Sequence, residues 1–188
     1  MKTLKTILLI LISFQFGSCQ SKKVVVDSPK TEKKIEKKQS KFAEGKMANG
    51  TYFIINANEN EALEPFRRTY TSLNDLNLVP LDNSAIQKWV FKENINPKTQ
   101  KPNGTFSIYL FVDQSNAITN KWNNPRLGKT REYPKDSFVI EYHEGEKAYT
   151  IKSTSAKGDC MGKKGGSFAK YIPNDGGETT FWKFQKTE

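Results

Sequence analysis

Three segments of this chain end in the same way. "QKWVFKE" at 87–93, "SFVIEYHE" at 137–144 and "TFWKFQK" at 180–186 each set an aromatic residue before alternating apolar positions. Three segments also open alike, with "GTYFIIN" from Gly50, "GTFSIYL" from Gly104 and "KAYTIKS" from Lys147. Aligning Tyr52, Phe106 and Tyr149 brings Ile54, Ile108 and Ile151 into register. Aligning the far ends matches Trp89, Phe138 and Trp182, then Phe91, Ile140 and Phe184. Residues two apart share one face of a strand, so each matched pair is one inward stripe. Between the ends, Ala62-Leu63, Ala117-Ile118 and Cys160-Met161 also correspond. Each unit therefore reads strand, turn, strand, longer loop, strand, closing strand. Over 47–188 the apolar residues alternate between Gly, Asn, Pro and Asp breaks with no helical period, which is the all-β pattern. The unit starts at 52, 106 and 149 are unequally spaced, so insertions sit in loops, the longest being "NINPKTQKPNG".

A four-stranded unit with one apolar face cannot bury that face alone, whereas three around an axis can. Three units of this size with aromatic or Gln-x-Trp closing strands resemble the β-trefoil family, most closely its ricin B-type lectins. The resemblance covers about residues 49–186. It implies a six-stranded barrel capped by three hairpins. Its filling would be Tyr52, Ile54, Trp89, Phe91, Phe106, Ile108, Phe138, Ile140, Tyr149, Ile151, Trp182 and Phe184. An eight-stranded up-and-down barrel of lipocalin type also explains alternation, but not the threefold matching of starts and ends.

The chain has 188 residues and a formal net charge of +10, and its N-terminus does not belong to the repeat. "MKTLKTILLILISFQFGSC" carries Lys2 and Lys5, then an apolar run from Ile7 to Phe16, too short for a comfortable membrane span. "FGSC" resembles the lipobox of bacterial lipoproteins, with Phe16 departing from the usual Leu. The resemblance implies cleavage before Cys19 and acylation, including palmitate, on that residue. An ordinary signal peptide with a chance cysteine is the alternative. Residues 1–18 are thus expected to be a signal peptide, 19–46 a lipidated tether, and 47–188 the folded domain. From 20 to 43 eight lysines face three acidic residues, and from 44 to 188 twenty basic residues face seventeen acidic ones. The surplus charge lies in a Lys-, Ser- and Glu-rich segment that buries too little to offset its ordering entropy. That argues against a nucleic-acid-binding domain and for a membrane-proximal tether beside anionic headgroups. The expected place is the bacterial cell envelope, at the outer membrane. With Cys19 acylated, no intrachain disulfide is possible.

Catalysis finds little support, and an enzyme would need a carboxylate pair that the sequence does not announce. The only histidine, His143, lies in the polar turn "EYHEGE", no second His or paired Cys completes a metal site, and no nucleophile motif is present. "GKKGG" at 162–166 lacks the Ser/Thr and following helix of a phosphate loop. The expectation is a non-enzyme without cofactor or metal. The lectin resemblance implies sugar bound between an acid after the second strand, an aromatic of the third-strand region, and an Asn-Gln at the closing strand. Lobe one keeps Glu64 at the acid position and Gln87 at the Gln position, with Ile86 in place of Asn. Lobe two has Thr119 and Asp136 there. Lobe three has Gly162 at the acid position, with Tyr171 and Asn174 offered nearby in "YIPNDGG". Lobe one is thus the favoured place if a glycan binds, with Gln87 donating to the ligand, orienting Glu64 or tying the backbone. Trp122, in the polar loop "TNKWNNPR", reads either as a stacking platform or as packing over the barrel end. A trefoil that binds an envelope protein through its loops, as inhibitor or scaffold, is the second reading of function.

Overall fold

The computed structural model describes residues 42–157, 159–163, 165–173 and 178–187. The first lobe contains β1 (Gly50–Asn56), β2 (Glu61–Pro65), β3 (Asn74–Pro80) and β4 (Lys88–Ile95). The second contains β5 (Pro102–Leu110), β6 (Asn116–Lys121), β7 (Asn124–Lys129) and β8 (Phe138–His143). The third contains β9 (Ala148–Ser153), β10 (Cys160–Lys163), β11 (Ala169–Ile172) and β12 (Trp182–Lys186). Helical backbone among the described residues is limited to the 3-10 turns Phe66–Arg68, Ala85–Gln87 and Glu178–Thr180.

First and fourth strands of each lobe pair with one another and with the next lobe. The antiparallel contacts run β1–β4, β4–β5, β5–β8, β8–β9, β9–β12 and β12–β1, which closes a six-stranded barrel. Second and third strands form the hairpins β2–β3, β6–β7 and β10–β11 that cap it. This is the β-trefoil, and its register carries the threefold repeat. Within lobes Tyr52 faces Trp89, Phe106 faces Phe138, and Tyr149 faces Trp182. Between lobes Phe91 faces Ile108, Ile140 faces Ile151, and Phe184 faces Ile54. Ala62, Ala117 and Cys160 each pair with the strand before them at the same step. A lipocalin-like meander would not give this order.

Eleven of the twelve expected barrel residues are buried, and Ile140 is half-buried against the same cluster. Tyr52, Phe91 and Phe184 meet edge to face, with centroids 5.2–6.1 Å apart. That geometry sets the positive ring edge against the negative face. The indole N–H of Trp89 donates to Leu63 O at 2.9 Å, and that of Trp182 to Met161 O at 2.7 Å. Both bonds tie a barrel strand to the hairpin above it. Phe138 has no such donor, and in lobe two the matching carbonyl, Ile118 O, takes the backbone N–H of Asp136 at 2.9 Å.

Among the described residues, some that precede 47 also contact the domain. Phe42 bridges Gln185, Ala43 N donates to Phe184 O at 2.7 Å, and Met47 is buried. Phe42, Ala43 and Met47 are the apolar residues of a stretch otherwise dominated by Lys and Glu, and they find a place along β12 and the core. The long insertion between lobes is strand at both ends, because β4 runs to Ile95 and β5 starts at Pro102, where a missing N–H is tolerated, and 96–101 form the turn between them.

Two measurements test this packing. Trp182→Ala is expected to lower unfolding free energy by about 3–5 kcal/mol in chemical denaturation, and Trp182→Phe by less, because lobe two already closes with Phe. Tyr149 packs 4.7 Å from Phe184, and its hydroxyl is buried without a partner among the described residues. Burial pushes it from its ordinary value of 10.0 up to about 12. A raised folded-state pKa gives stability that is full below about pH 10 and lost as pH climbs toward 12. Tyr149→Phe is expected to leave stability at neutral pH unchanged or raised, and to reduce the alkaline loss in pH-dependent melting.

Candidate functional site

The three hairpins place one residue each at the acid position of the lectin resemblance, and the register makes them equivalent. Glu64 faces Asn77, Thr119 faces Arg126, and Gly162 faces Lys170, each one step beyond the core pair of its hairpin. What fills the space over each differs.

In lobe one the expected pair does meet. Gln87 Nε2 donates to Glu64 Oε2 at 3.2 Å and to Pro80 O at 3.1 Å, while Gln87 Oε1 accepts from Asp82 N at 3.0 Å. Gln87 is wholly buried and Glu64 is 4% exposed. Arg68 covers what remains. Its Nε lies 3.3 Å from Glu64 Oε2, and its terminal nitrogen bonds Asp82. Ser84 and then Arg68 hold the Asp82 carboxyl down at about 2. Arg67 and Arg68 both sit at positive φ, 54° and 56°, a turn that swings the guanidinium back over its own strand. The acceptors that a sugar would use are committed to the chain's own cation and amide.

Lobe two is closed by an aromatic ring. Thr119 Oγ1 donates to Pro134 O at 2.6 Å. A Cβ on Gly128 would come within 3.0 Å of Thr119 Cγ2 and 3.0 Å of Tyr133 Cδ2, so Tyr133 lies on the bare glycine of β7. In lobe three a Cβ on Gly162 would meet Ile172 Cδ1 at 2.7 Å and Thr179 O at 2.8 Å. Only glycine fits there.

Tyr171 lies opposite Met161, on the core side of its hairpin, and is 7% exposed. Its hydroxyl donates to Asp136 Oδ2 at 2.7 Å, and burial, then the Asp136 charge, push it well above its usual range. Asp136 also accepts from Ser153 Oγ at 2.6 Å, Ser155 Oγ at 2.8 Å and Ser137 N at 2.8 Å. It ties lobe two to lobe three, as Gln87 ties lobe one. Periodicity hides both roles, because each depends on partners far along the chain. Asn174 and Cys19 lie outside the described residues.

Trp122 is the candidate site residue that faces solvent, at 69% exposed. It heads the two-residue turn between Lys121 and Asn124, with φ 55° at Trp122 and 56° at Asn123. Asn or Gly normally fills such a turn, and a bulky ring there is an outlier. Asn124 Nδ2 donates to Trp122 O at 3.1 Å and braces the turn. The Arg126 guanidinium stands 4.7 Å from the ring centroid, and Lys121 Nζ stands 5.6 Å from it and 5.7 Å from the Tyr133 ring. Packing under a loop, the other reading of this tryptophan, does not occur.

Beside this hairpin lies a cleft of about 240 Å³ lined by Asn120, Pro134, Lys135, Asp136 and Ser155. Asn120 Nδ2 donates to Ser155 Oγ at 3.0 Å, while its Oδ1 is buried with no partner among the described residues. His143 shares a hydrogen bond of 3.0 Å with Thr150 and packs on Phe181. No group of three or more metal-ligating side chains occurs among the described residues.

No family model and no curated protein matches this chain. Solved structures do. ThreeFoil, a designed 3-fold symmetric protein, aligns with a TM-score of 0.59 at 10% identity, over 73% of this chain and 99% of its own. The Rhizoctonia solani agglutinin aligns with a TM-score of 0.60 at 15% identity, over 77% of this chain and 100% of its own. The Polyporus squamosus lectin, solved with the epitope Neu5Aca2-6Galb1-4GlcNAc, aligns with a TM-score of 0.56 at 15% identity, over 74% and 50%. At such identity the likeness bears on the fold, and together with the strand pairing it shows that the described residues form a β-trefoil.

Proposed function

We propose that this chain is a lipid-anchored, carbohydrate-binding trefoil of the bacterial cell envelope, and that it takes its glycan on Trp122 rather than in the three lobe pockets. The observation that carries this reading is a tryptophan exposed on a hairpin turn whose positive φ penalises a bulky side chain. Strained backbone at an exposed aromatic does nothing to stabilise the fold, and it gives a ligand a fixed ring. A sugar offers one apolar face to such a ring and hydroxyls to the polar groups around it. Asn123, exposed on the same turn, offers its amide to those hydroxyls. The agglutinin and the lectin that share the fold support the ligand class. The anchor reading rests on the N-terminal sequence alone, with acyl chains on Cys19 and a lysine-rich tether next to them.

Two tests separate these parts. On a glycan array the detergent-solubilised chain is expected to retain a subset of glycans. A face contact is worth about 0.5–1.5 kcal/mol, so Trp122→Ala is expected to weaken calorimetric affinity about two- to ten-fold. Glu64→Ala, by contrast, removes a buried carboxylate from beneath Arg68, and is expected to lower stability while leaving glycan affinity alone. Retention of no glycan at millimolar concentration would favour docking of an envelope protein. For the anchor, Cys19→Ala is expected to move the chain to the soluble fraction and to abolish palmitate labelling. A membrane-bound, still labelled mutant contradicts it.

A further inference from the structure

Resting on the glycan reading above, we propose that the Trp122 platform selects acidic sugars, those carrying a carboxylate on the ring, over neutral ones. Charge is placed unevenly along the domain. Residues 116–135 hold Lys121, Arg126, Lys129, Arg131 and Lys135 against Glu132 alone. This short stretch carries more net charge than residues 44–188 as a whole, where twenty basic residues face seventeen acidic ones. Arg126 pairs with Asp75 and Arg131 with Glu132, so the cations of this stretch outside ion pairs among the described residues are Lys121, Lys129 and Lys135.

Geometry at the ring points the same way. Arg126 and Lys121 both stand within cation–π distance of Trp122. Arg126 commits one terminal nitrogen to Asp75 at 2.7 Å, which fixes the guanidinium but leaves its Nε buried without a partner among the described residues. Lys121 makes no ion pair among the described residues. Lys121, standing over an exposed ring with no carboxylate of its own among the described residues, is what a ligand with both an apolar face and an anionic group would meet. The carboxylate sits in the plane of a uronic-acid ring's substituents, so it reaches Lys121 while the sugar face lies on the indole.

A bilayer surface is the competing occupant of a Trp beside two cations. It needs contiguous apolar area. Here the neighbours of Trp122 along the turn are Lys121, Asn123 and Asn124, and the other exposed large hydrophobic residues among those described, Phe42, Ile95, Phe111 and Val112, belong to other segments. A lone ring in polar surroundings suits a sugar.

The test compares two forms of one skeleton. Tetragalacturonate and its fully methyl-esterified form are titrated into the detergent-solubilised full-length chain by calorimetry, with inorganic phosphate as the free-anion control. The acid is expected to bind about ten-fold more tightly than the ester, because its carboxylate accepts one charge-assisted hydrogen bond that the ester cannot match. The preference is expected to shrink as salt rises from about 0.05 M to about 0.5 M, because the site is exposed. Lys121→Gln, a surface change that leaves the fold intact, is expected to erase the preference while the ester still binds. Asp75→Asn, which frees Arg126, is expected to strengthen acid binding. Equal affinity for acid and ester overturns the charge selectivity and leaves the platform standing. Loss of acid binding in Trp122→Ala, with phosphate giving no heat, supports it. Binding of neither form, with no glycan retained on the array, overturns this inference together with the reading it rests on. Trp122-dependent binding to phosphatidylcholine–phosphatidylserine vesicles, with no sugar bound, overturns it in favour of a membrane surface.

Discussion

The joint between barrel and cap is the interaction on which the rest of this structure depends. Trp89 and Trp182 each fill a barrel layer and send an indole N–H up to a hairpin carbonyl, Leu63 O or Met161 O. A buried carbonyl left unpaired costs about 1–3 kcal/mol, so each bond does more than add its own strength. It fixes the height of the hairpin over the barrel. Lobe two reaches the same end differently. Phe138 supplies ring volume without a donor, and the peptide N–H of Asp136 takes the carbonyl. The Asp136 carboxylate then accepts from Ser153, Ser155 and Tyr171 of lobe three. The threefold plan is kept by shape and register, while the polar ties are solved separately in each lobe.

That division explains what could be read from the sequence. Register repeats, so the pairs Tyr52–Trp89, Phe106–Phe138 and Tyr149–Trp182 were legible as matched aromatics, and with them the fold. The meeting of Glu64 with Gln87 was legible too, as a pair at equivalent positions of one lobe. Its closure was not. Arg68 reaches Glu64 only because two successive arginines adopt left-handed backbone, and nothing in "PFRRTY" announces that. Tyr171 reads as a polar aromatic near a loop, yet the pleat turns it inward opposite Met161. Phe42 and Ala43 were hidden by composition, since a charged stretch around them reads as tether.

The three lobe pockets share a consequence. Arg68, Tyr133 and Ile172 are unlike in chemistry, but each occupies the space that faces the acid position of its lobe. Filling a concave pocket with the chain's own side chains stabilises the domain and removes a binding site. A binding role, on this account, moves to the hairpin tip, where Trp122 accepts an unfavourable φ and stays exposed. On this proposal, stability and binding occupy different parts of the same lobe. The Thr119 face holds the hairpin to Pro134, and the turn beyond it presents the ring and its two cations.

The protein has three tryptophans, and the structure separates them sharply: two indole N–H groups are buried and bonded, and one ring is exposed. Nitrogen-15 correlation spectra of the indole Nε1 signals therefore read the central claim residue by residue during a glycan titration. With the ligand on the hairpin tip, the Trp122 signal is expected to shift progressively and saturate, while the Trp89 and Trp182 signals stay in place. Movement of the Trp89 signal with a silent Trp122 would put the ligand in lobe one, over Glu64 and Gln87, and contradict it.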